Sequence, residues 1–521
     1  MRDWENRRAN RLRRQQQDAE ARLLRQRDEH ARLALSMPDT SQPRIAELDT
    51  SNQQLLADIE RIKAELNDLP RAALLTQGII QPERLFNQMQ PDEAIVTFFV
   101  GHRHTYGMRV NSDRTMEAWR TDLTLEQATQ WVDDIIASVA VPPGSKIRPY
   151  PVTKAHSLYV GLFGQDMQRV QGVETMTIVA DNVLARLPFS ALVTGDISRH
   201  TENDTETKSE LNQLRQTRWL IDTVAVAHAS SLKSLVLLRE LATDVTPSEK
   251  YYIGFSTPDQ ASDLQFDMLA YGAAPPASGM SSDGLLDSDQ LRCAEEARWI
   301  RNLGPLPHAP EEIDEVRKRL NLPASSSLTG TSFRRQTLMN RDMAGYRILH
   351  FASHAVLPQP QHTCIREPAL QISPDPEPAD ARSGMLTMSE IEHMTLNADL
   401  VVLSACDSGG AGSVESQEAL SGLARAFFYA NARGLVVSAW AVNDQSTKHL
   451  ILQMMTIIGK ENKSPAKALR DAQLHMINNN GDNKDLLPNY IHPYYWAPFI
   501  ATGNVTQVIS MTNIALDTPD T

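Results

Sequence analysis

The sequence has no run of about 18 apolar residues, the length a helix needs to span a bilayer, so no membrane-crossing helix is expected. Its opening stretch, MRDWENRRANRLRR, lacks the apolar segment of a secretory signal, and a soluble cytoplasmic chain is the reading that follows. Cysteine is scarce: Cys293, Cys364 and Cys406 are the only three in 521 residues. None forms a C-x-x-C pair and the number is odd, which argues against a disulfide framework or a cysteine-based metal site and fits a reducing compartment. Positive charge is also in deficit, with 51 Lys and Arg against 64 Asp and Glu and a net charge of -13. A nucleic-acid binder carries a basic patch or stripe, so that class is not expected. The first thirty residues are richer in Arg and offer a short basic face to an acidic partner. No Walker A pattern opens a helix and no G-x-S-x-G elbow is present. The Arg that a tyrosine-phosphatase loop places six residues after its Cys is here Gly412.

Apolar residues make up 41% of the chain, enough for real cores, and the length suggests about three domains at ~150 residues each. Residues 1–37 read as one charged helix whose apolar positions, Leu12, Ala19, Leu23 and Leu33, form a weak stripe. Pro38 and Pro43 bracket a break. Ile45, Leu48, Asn52, Leu55, Ile59, Ile62, Leu66 and Leu69 then alternate spacings of three and four, a heptad seam with one polar residue. Residues 1–70 are therefore expected to form an α-helical hairpin, a coiled-coil arm for self-association, or a helical cap on the main body.

Beyond residue 70 the pattern is mixed α/β, divided for this reading into 71–250 and 251–521. Strands are expected at 94–100, 176–180 and 251–256, and helices at 124–139 and 309–320. Residues 197–217 are polar without periodicity and read as a surface insertion. Residues 257–292, rich in Ser, Asp, Gly and Pro, read as a long loop. In the last third, RILHFAS (347–353), LVVLSA (400–405) and GLVVSAW (434–440) are near-continuous apolar runs separated by helical patterns at 417–432 and 445–459. Strands buried on both faces of a parallel sheet read this way, and the alternation implies a doubly wound α/β sheet. No repeat at 30–50 residues is visible.

In such sheets, ligand sites lie at the carboxyl ends of the strands. The first of these runs leads into His354 and the second into Cys406. A thiol and an imidazole at neighbouring strand ends are the minimum apparatus for nucleophilic catalysis: the imidazole takes the proton and the thiolate attacks a carbonyl carbon. Taken singly, each has a plainer reading, Cys406 as a small buried hydrophobe and His354 as a satisfied polar residue. His350 lies within its strand. A metal site from His350 and His354 is disfavoured, because an i, i+4 pair shares a face of a helix rather than of a strand.

Several blocks, in order, resemble the CHAT domain, a branch of the caspase, separase and gingipain clan: DNVLARLPFSAL (181–192), WLIDTVAVAHASSL (219–232), LPHAPEEIDEV (306–316), YRILHFASHA (346–355), LNADLVVLSACDSGGAG (396–412), LARAFFYANARGLVVSAWAVNDQST (423–447) and HPYYWAPFIATGN (492–504). GTSFRRQTL (330–338) matches more loosely, with Phe333 where the family has Ala.

The resemblance implies a caspase-like, mostly parallel sheet flanked by helices, with residues 71–250 as the pseudo-caspase-like half and 251–521 as the catalytic part. It implies a cysteine endopeptidase with no cofactor or metal, in which Cys406 forms a thioester with a protein substrate and His354 is general base, then acid. Backbone N–H groups of Cys406 and Ala355 would form the oxyanion hole, Ala355 standing where relatives often have Gly. Ser404 occupies the position two before the Cys, where caspases place Gln and metacaspases Asp; neither preference carries over, but Ser404 is a candidate to face substrate. Asp444 matches a recurrent acid of the pattern and would favour a basic P1 residue; alternatively it caps the helix near Gln445. Asp407 and Glu415 follow the nucleophile and could face substrate. Trp440 and Trp496 are expected to pack or to wall a pocket. Segments 257–292 and 357–385 lie where the clan has substrate or processing loops. Relatives are activated through protein partners, and no tetratricopeptide repeat accompanies the domain here. The remaining alternatives are a catalytically silent CHAT scaffold and an unrelated α/β amidase with a Cys nucleophile.

Overall fold

The computed structural model describes residues 12, 19, 23, 26, 38–67, 80–141, 145–180, 182–195, 207–243, 247–257, 296, 299–300, 303, 306–358, 365–374, 384–404, 406–407, 414–478 and 487–511. The chain divides into two compact units, residues 1–80 with 233–237, and residues 81–232 with 238–521. In the first unit the helix Pro38–Asn67 carries the heptad seam from Ile45 to Leu66, and Leu69 lies outside the described residues. Leu48, Ile59 and Ile62 of that seam are buried, as are Leu12 and Leu23. The helix starts at Pro38 and runs through Pro43, where the sequence suggested a break. Proline is well suited to a helix start, and Pro43 forfeits one backbone hydrogen bond without ending the element. Most of the expected helix 1–37 lies outside the described residues.

The second unit is built on a sheet of eleven strands, supplemented by one of four. In chain order the strands are β1 Glu93–Val100, β2 Thr105–Asn111, β3 Met116–Thr121, β4 Thr175–Val179, β5 Ala225–Ala229, β6 Lys250–Ser256, β7 Ser327–Thr329, β8 Tyr346–Ala352, β9 His354–Val356, β10 Ala369–Gln371, β11 Met385–Thr387, β12 Leu400–Leu403, β13 Cys406–Asp407, β14 Gly434–Ser438 and β15 Phe499–Gly503. The large sheet runs β3-β2-β1-β4-β5-β15-β14-β12-β8-β6-β7. It is mostly parallel: β1, β4, β5 and β15 run together, as do β14, β12, β8, β6 and β7. The two groups meet where β15 pairs antiparallel to β14. The strands of the two groups therefore point to opposite rims, and the rim at the ends of β8 and β12 belongs to the second group.

Alternation along the central strands shows why their sequences are apolar throughout. Ile348, Leu400, Val402 and Val436 join one core, together with Leu450, Ile451 and Met454 of the helix Asp444–Glu461. Leu349, Phe351, Val401, Leu403 and Leu435 join another, with Leu423, Ala426 and Phe427 of the helix Val414–Tyr429. Successive side chains point to opposite faces, so a strand covered on both sides is apolar at nearly every position, and a polar exception such as His350 of β8 must find partners within the core.

The helix expected at 124–139 spans Leu125–Val139, and Thr124 and Gln127 form a capping box at its start. The helix Val414–Tyr429 is followed by Asn431 at φ 83, a left-handed position that asparagine tolerates. Residues Thr207–Gln216, read from the sequence as insertion, form a helix. Its one fully buried apolar residue, Leu214, is 1% exposed, too small a stripe to register as periodicity. Residues 196–206, and 258–292 of the expected long loop, lie outside the described residues, as do 359–364 and 375–383 of the segment 357–385.

Candidate active site

The site is formed where two neighbouring parallel strands leave the large sheet together. Leu403 of β12 stands opposite Phe351 of β8, and the Ser404 N–H donates to the Phe351 carbonyl at 3.0 Å. Three residues on in each chain, Cys406 of β13 stands opposite His354 of β9, again in parallel register. The pairing therefore continues in step across the bend from one sheet to the next. Neighbouring strands lie about 4.8 Å apart, and directly paired positions occupy the same face. Cys406, Asp407 and Glu415 are placed by backbone position. Asp407 stands opposite Ala355, and Glu415 is the second residue of the helix Val414–Tyr429.

The small sheet runs β11-β10-β9-β13. The Ser353 hydroxyl, at the bend between β8 and β9, donates to the Gln371 carbonyl, and Gln371 Nε2 donates to the Ile300 carbonyl at 2.7 Å. One face of this sheet, with Ala355, Leu370 and Leu386, packs into the core below the helix Val414–Tyr429. On the other face Val356, Ala369 and Met385 pack with Ile300 and Ile365. Alternation puts His354 on the same face as Val356. His354 is 4% exposed. Ala355 is fully buried, with ordinary strand backbone and pairing on both sides, opposite Leu370 and Asp407. Alanine in place of glycine thus requires no unusual conformation there.

Ser404, expected to face substrate, is turned inward. It is 5% exposed, and its hydroxyl donates to Glu312 Oε1 at 2.7 Å. The same oxygen lies 2.7 Å from His350 Nε2, and His350 Nδ1 lies 3.0 Å from the Tyr252 hydroxyl. A proton on Nε2 satisfies the whole chain, with Tyr252 donating to Nδ1 and His350 and Ser404 donating to the carboxylate. Burial and the Glu312 charge push the Tyr252 phenol well above its usual range, which keeps it a donor. Both His350 nitrogens are therefore engaged, consistent with a structural role and leaving none for a metal.

Asp444 opens the helix Asp444–Glu461, but the cap is its neighbour: Asn443 accepts from the Ser446 N–H at 2.9 Å. The Asp444 carboxylate instead accepts the backbone N–H of His308 at 2.9 Å, at the start of the helix His308–Arg319. Desolvation, with Glu312 and Glu311 adding repulsion, raises its pKa to about 6. Trp440 and Trp496 are both buried in the large core, where Trp496 meets Trp219 edge-on at 5.4 Å. Sequence reasoning missed Glu312, whose place in the pair Glu311–Glu312 gave no sign of which carboxylate turns inward.

The model of the CHAT domain matches residues 152–504, well over half of the sequence. The chain belongs to the CHAT domain family. His354, Cys406 and Asp444 all fall within the matched span. No curated protein matches the chain. Among solved structures, the CHAT chain is similar to separase in the Saccharomyces cerevisiae separase–securin complex at 2.6 Å, with 9% identity, a TM-score of 0.42, and coverage of 88% of this chain and 34% of that one. A second structure of that complex, at 3.0 Å, gives 8% identity, a TM-score of 0.40, and coverage of 90% and 34%. A structure described only as a protease gives 10% identity, a TM-score of 0.34, and coverage of 74% and 76%. The chain spans about a third of the length of the separase chains it matches.

Proposed function

We propose that this CHAT protein is a cysteine endopeptidase in which Cys406 is the nucleophile and His354 the general base. The observation that carries the reading is the register of β13 on β9, with Cys406 opposite His354. The imidazole takes the thiol proton, the thiolate attacks the scissile carbonyl, and the amine leaves with that proton to give a thioester on Cys406. Water, deprotonated by the same imidazole, then releases the acid product. Backbone N–H groups of Cys406 and Ala355 would receive the oxyanion. Asp444, near Glu312 and Glu311 at the same rim, favours a basic P1 residue; Asp407 and Glu415 follow the nucleophile closely enough to meet substrate. Residues 71–250 serve as the supporting half and 251–521 as the catalytic part. The three thiols suit a reducing compartment such as the cytoplasm. No helix among the described residues is long and apolar enough to cross a membrane.

Burial of His354 at 4% favours a low basal activity in the chain alone. A protein partner, or self-association through residues 1–70, would expose the face that His354 shares with Val356. A catalytically silent scaffold is the second reading. It is favoured by Ala355, which sits inside the ladder between two strands, where backbone N–H groups serve the sheet. A peptide library with varied P1 residues distinguishes the two. The peptidase reading expects cleavage after basic residues by the wild type and none by Cys406→Ala; equal cleavage by both, or none by either, contradicts it.

A further inference from the structure

The helix His308–Arg319 brings a carboxylate to the interior of the rim where β8 and β12 end. Glu312 is 1% exposed. Its Oε1 meets both the Ser404 hydroxyl and His350 Nε2, each at 2.7 Å. Ser404 stands two residues before Cys406, and His350 four residues before His354. One oxygen atom is thus bonded to both strands that deliver the dyad, just before they bend into the small sheet. Four residues back on the same helix, the His308 N–H holds Asp444. The helix therefore ties together three of the segments that bear candidate site residues: those leading to His354 and to Cys406, and the one that carries Asp444.

The close approach is built in. Gly254 of β6 stands opposite His350. A Cβ at Gly254 would lie 2.5 Å from the Tyr252 hydroxyl and 2.7 Å from Ile313 Cγ2, so a side chain there would separate the helix from the sheet. The rest of the buried helix face is apolar, with Ala309, Ile313 and Val316. Aliphatic packing suffices to dock a helix, whereas a buried carboxylate is costly unless fully hydrogen-bonded. A carboxyl group in this place calls for a reason beyond docking.

We propose that Glu312 is a positioning residue for the nucleophile, fixing the ends of β12 and β8 through Ser404 and His350 so that Cys406 and His354 keep their register. The inference rests on the peptidase reading and adds to it the group that sets the dyad's geometry. Misplacing reacting groups by about 1 Å costs up to about 100-fold in rate. A group acting this way lowers the rate of bond formation while leaving substrate binding largely intact.

The test uses the full chain and an acyloxymethyl-ketone peptide probe with Arg at P1, separating the maximal labelling rate from the half-saturating concentration per folded molecule. Glu312→Gln and Ser404→Ala are each expected to lower the maximal rate roughly 10- to 100-fold, with half-saturation changed by less than about twofold. The double variant is expected to lose no more than the worse single one, because the two act through one bond. Ser404→Thr, which keeps the hydroxyl, is expected to retain the wild-type rate. Should Glu312→Gln fail to fold, Ser404→Ala decides alone. Cys406-dependent labelling of the wild type at a rate shared by Glu312→Gln and Ser404→Ala overturns this inference and leaves the peptidase reading standing. Absence of Cys406-dependent labelling in the wild type overturns both.

Discussion

The carboxylate of Asp444 accepts the backbone N–H of His308 at 2.9 Å, joining the start of one helix to the start of another. Helix N-termini favour negative charge. Desolvation outweighs that benefit here, and the pKa rises from 3.8 to about 6. The folded protein thus holds a proton that the unfolded chain releases near 3.8. This contribution favours folding at low pH and is lost as pH rises through about 6. Asp444→Asn removes the loss. The stability of the wild type relative to the variant is expected to fall by up to about 3 kcal/mol between pH 4 and pH 7.5. Thermal melts of both proteins across that range measure the difference, and parallel curves contradict the assignment.

The same titration reaches substrate choice if Asp444 selects a basic P1 residue. The ionised carboxylate is the attractive form, so kcat/KM for a substrate with Arg at P1 is expected to rise as pH passes about 6. The Asp444→Asn protein is expected to lose that rise, while a matched substrate with a neutral P1 residue is expected to be cleaved alike by both proteins. A neutral substrate that shows the same dependence on Asp444 removes this residue from the P1 pocket.

Arg239 and Glu93 form a fully buried ion pair at 2.7 Å, and Arg239 also donates to Thr506 Oγ1 at 2.9 Å and to the Gln88 carbonyl at 2.8 Å. Removing one partner strands a charge in the core. Glu93→Ala is expected to cost about 3–5 kcal/mol of stability, read from urea unfolding. Because the pair involves neither β8 nor β12, the labelling rate per folded molecule is expected to stay unchanged. A cost below about 1 kcal/mol contradicts the assigned role.

Gly254→Ala probes the close packing of the helix His308–Arg319. The added carbon meets the Tyr252 hydroxyl at 2.5 Å and Ile313 at 2.7 Å. Overpacking of this kind is expected to cost about 1–3 kcal/mol, measured as a lowered unfolding midpoint. An unaltered midpoint shows that the helix yields without penalty.

The large parallel sheet was legible because its central strands are covered on both faces and their sequences are correspondingly unbroken, as in LVVL at 400–403. The approach of His354 to Cys406 followed from the ends of two such runs. The small sheet was not legible. β9, β10 and β11 have three residues each and β13 has two, too short for any period to emerge. Ser404 was assigned to substrate from its offset to the nucleophile, whereas its direction depends on Glu312, 92 residues earlier in the chain. Asn443 and Asp444 are both good helix caps, and nothing local distinguishes them; the choice depends on the His308 N–H, which only the fold brings near.

The most direct test asks whether the residue opposite His354 is the one that reacts. Wild type, Cys406→Ala and His354→Ala are each treated with the P1-Arg acyloxymethyl-ketone probe, and the modified residue is located by mass spectrometry. The account predicts a single adduct on Cys406, absent in Cys406→Ala and at least about 100-fold slower to form in His354→Ala, in line with loss of a general base. Equal labelling of all three proteins, or an adduct carried by Cys293 or Cys364 instead, contradicts it.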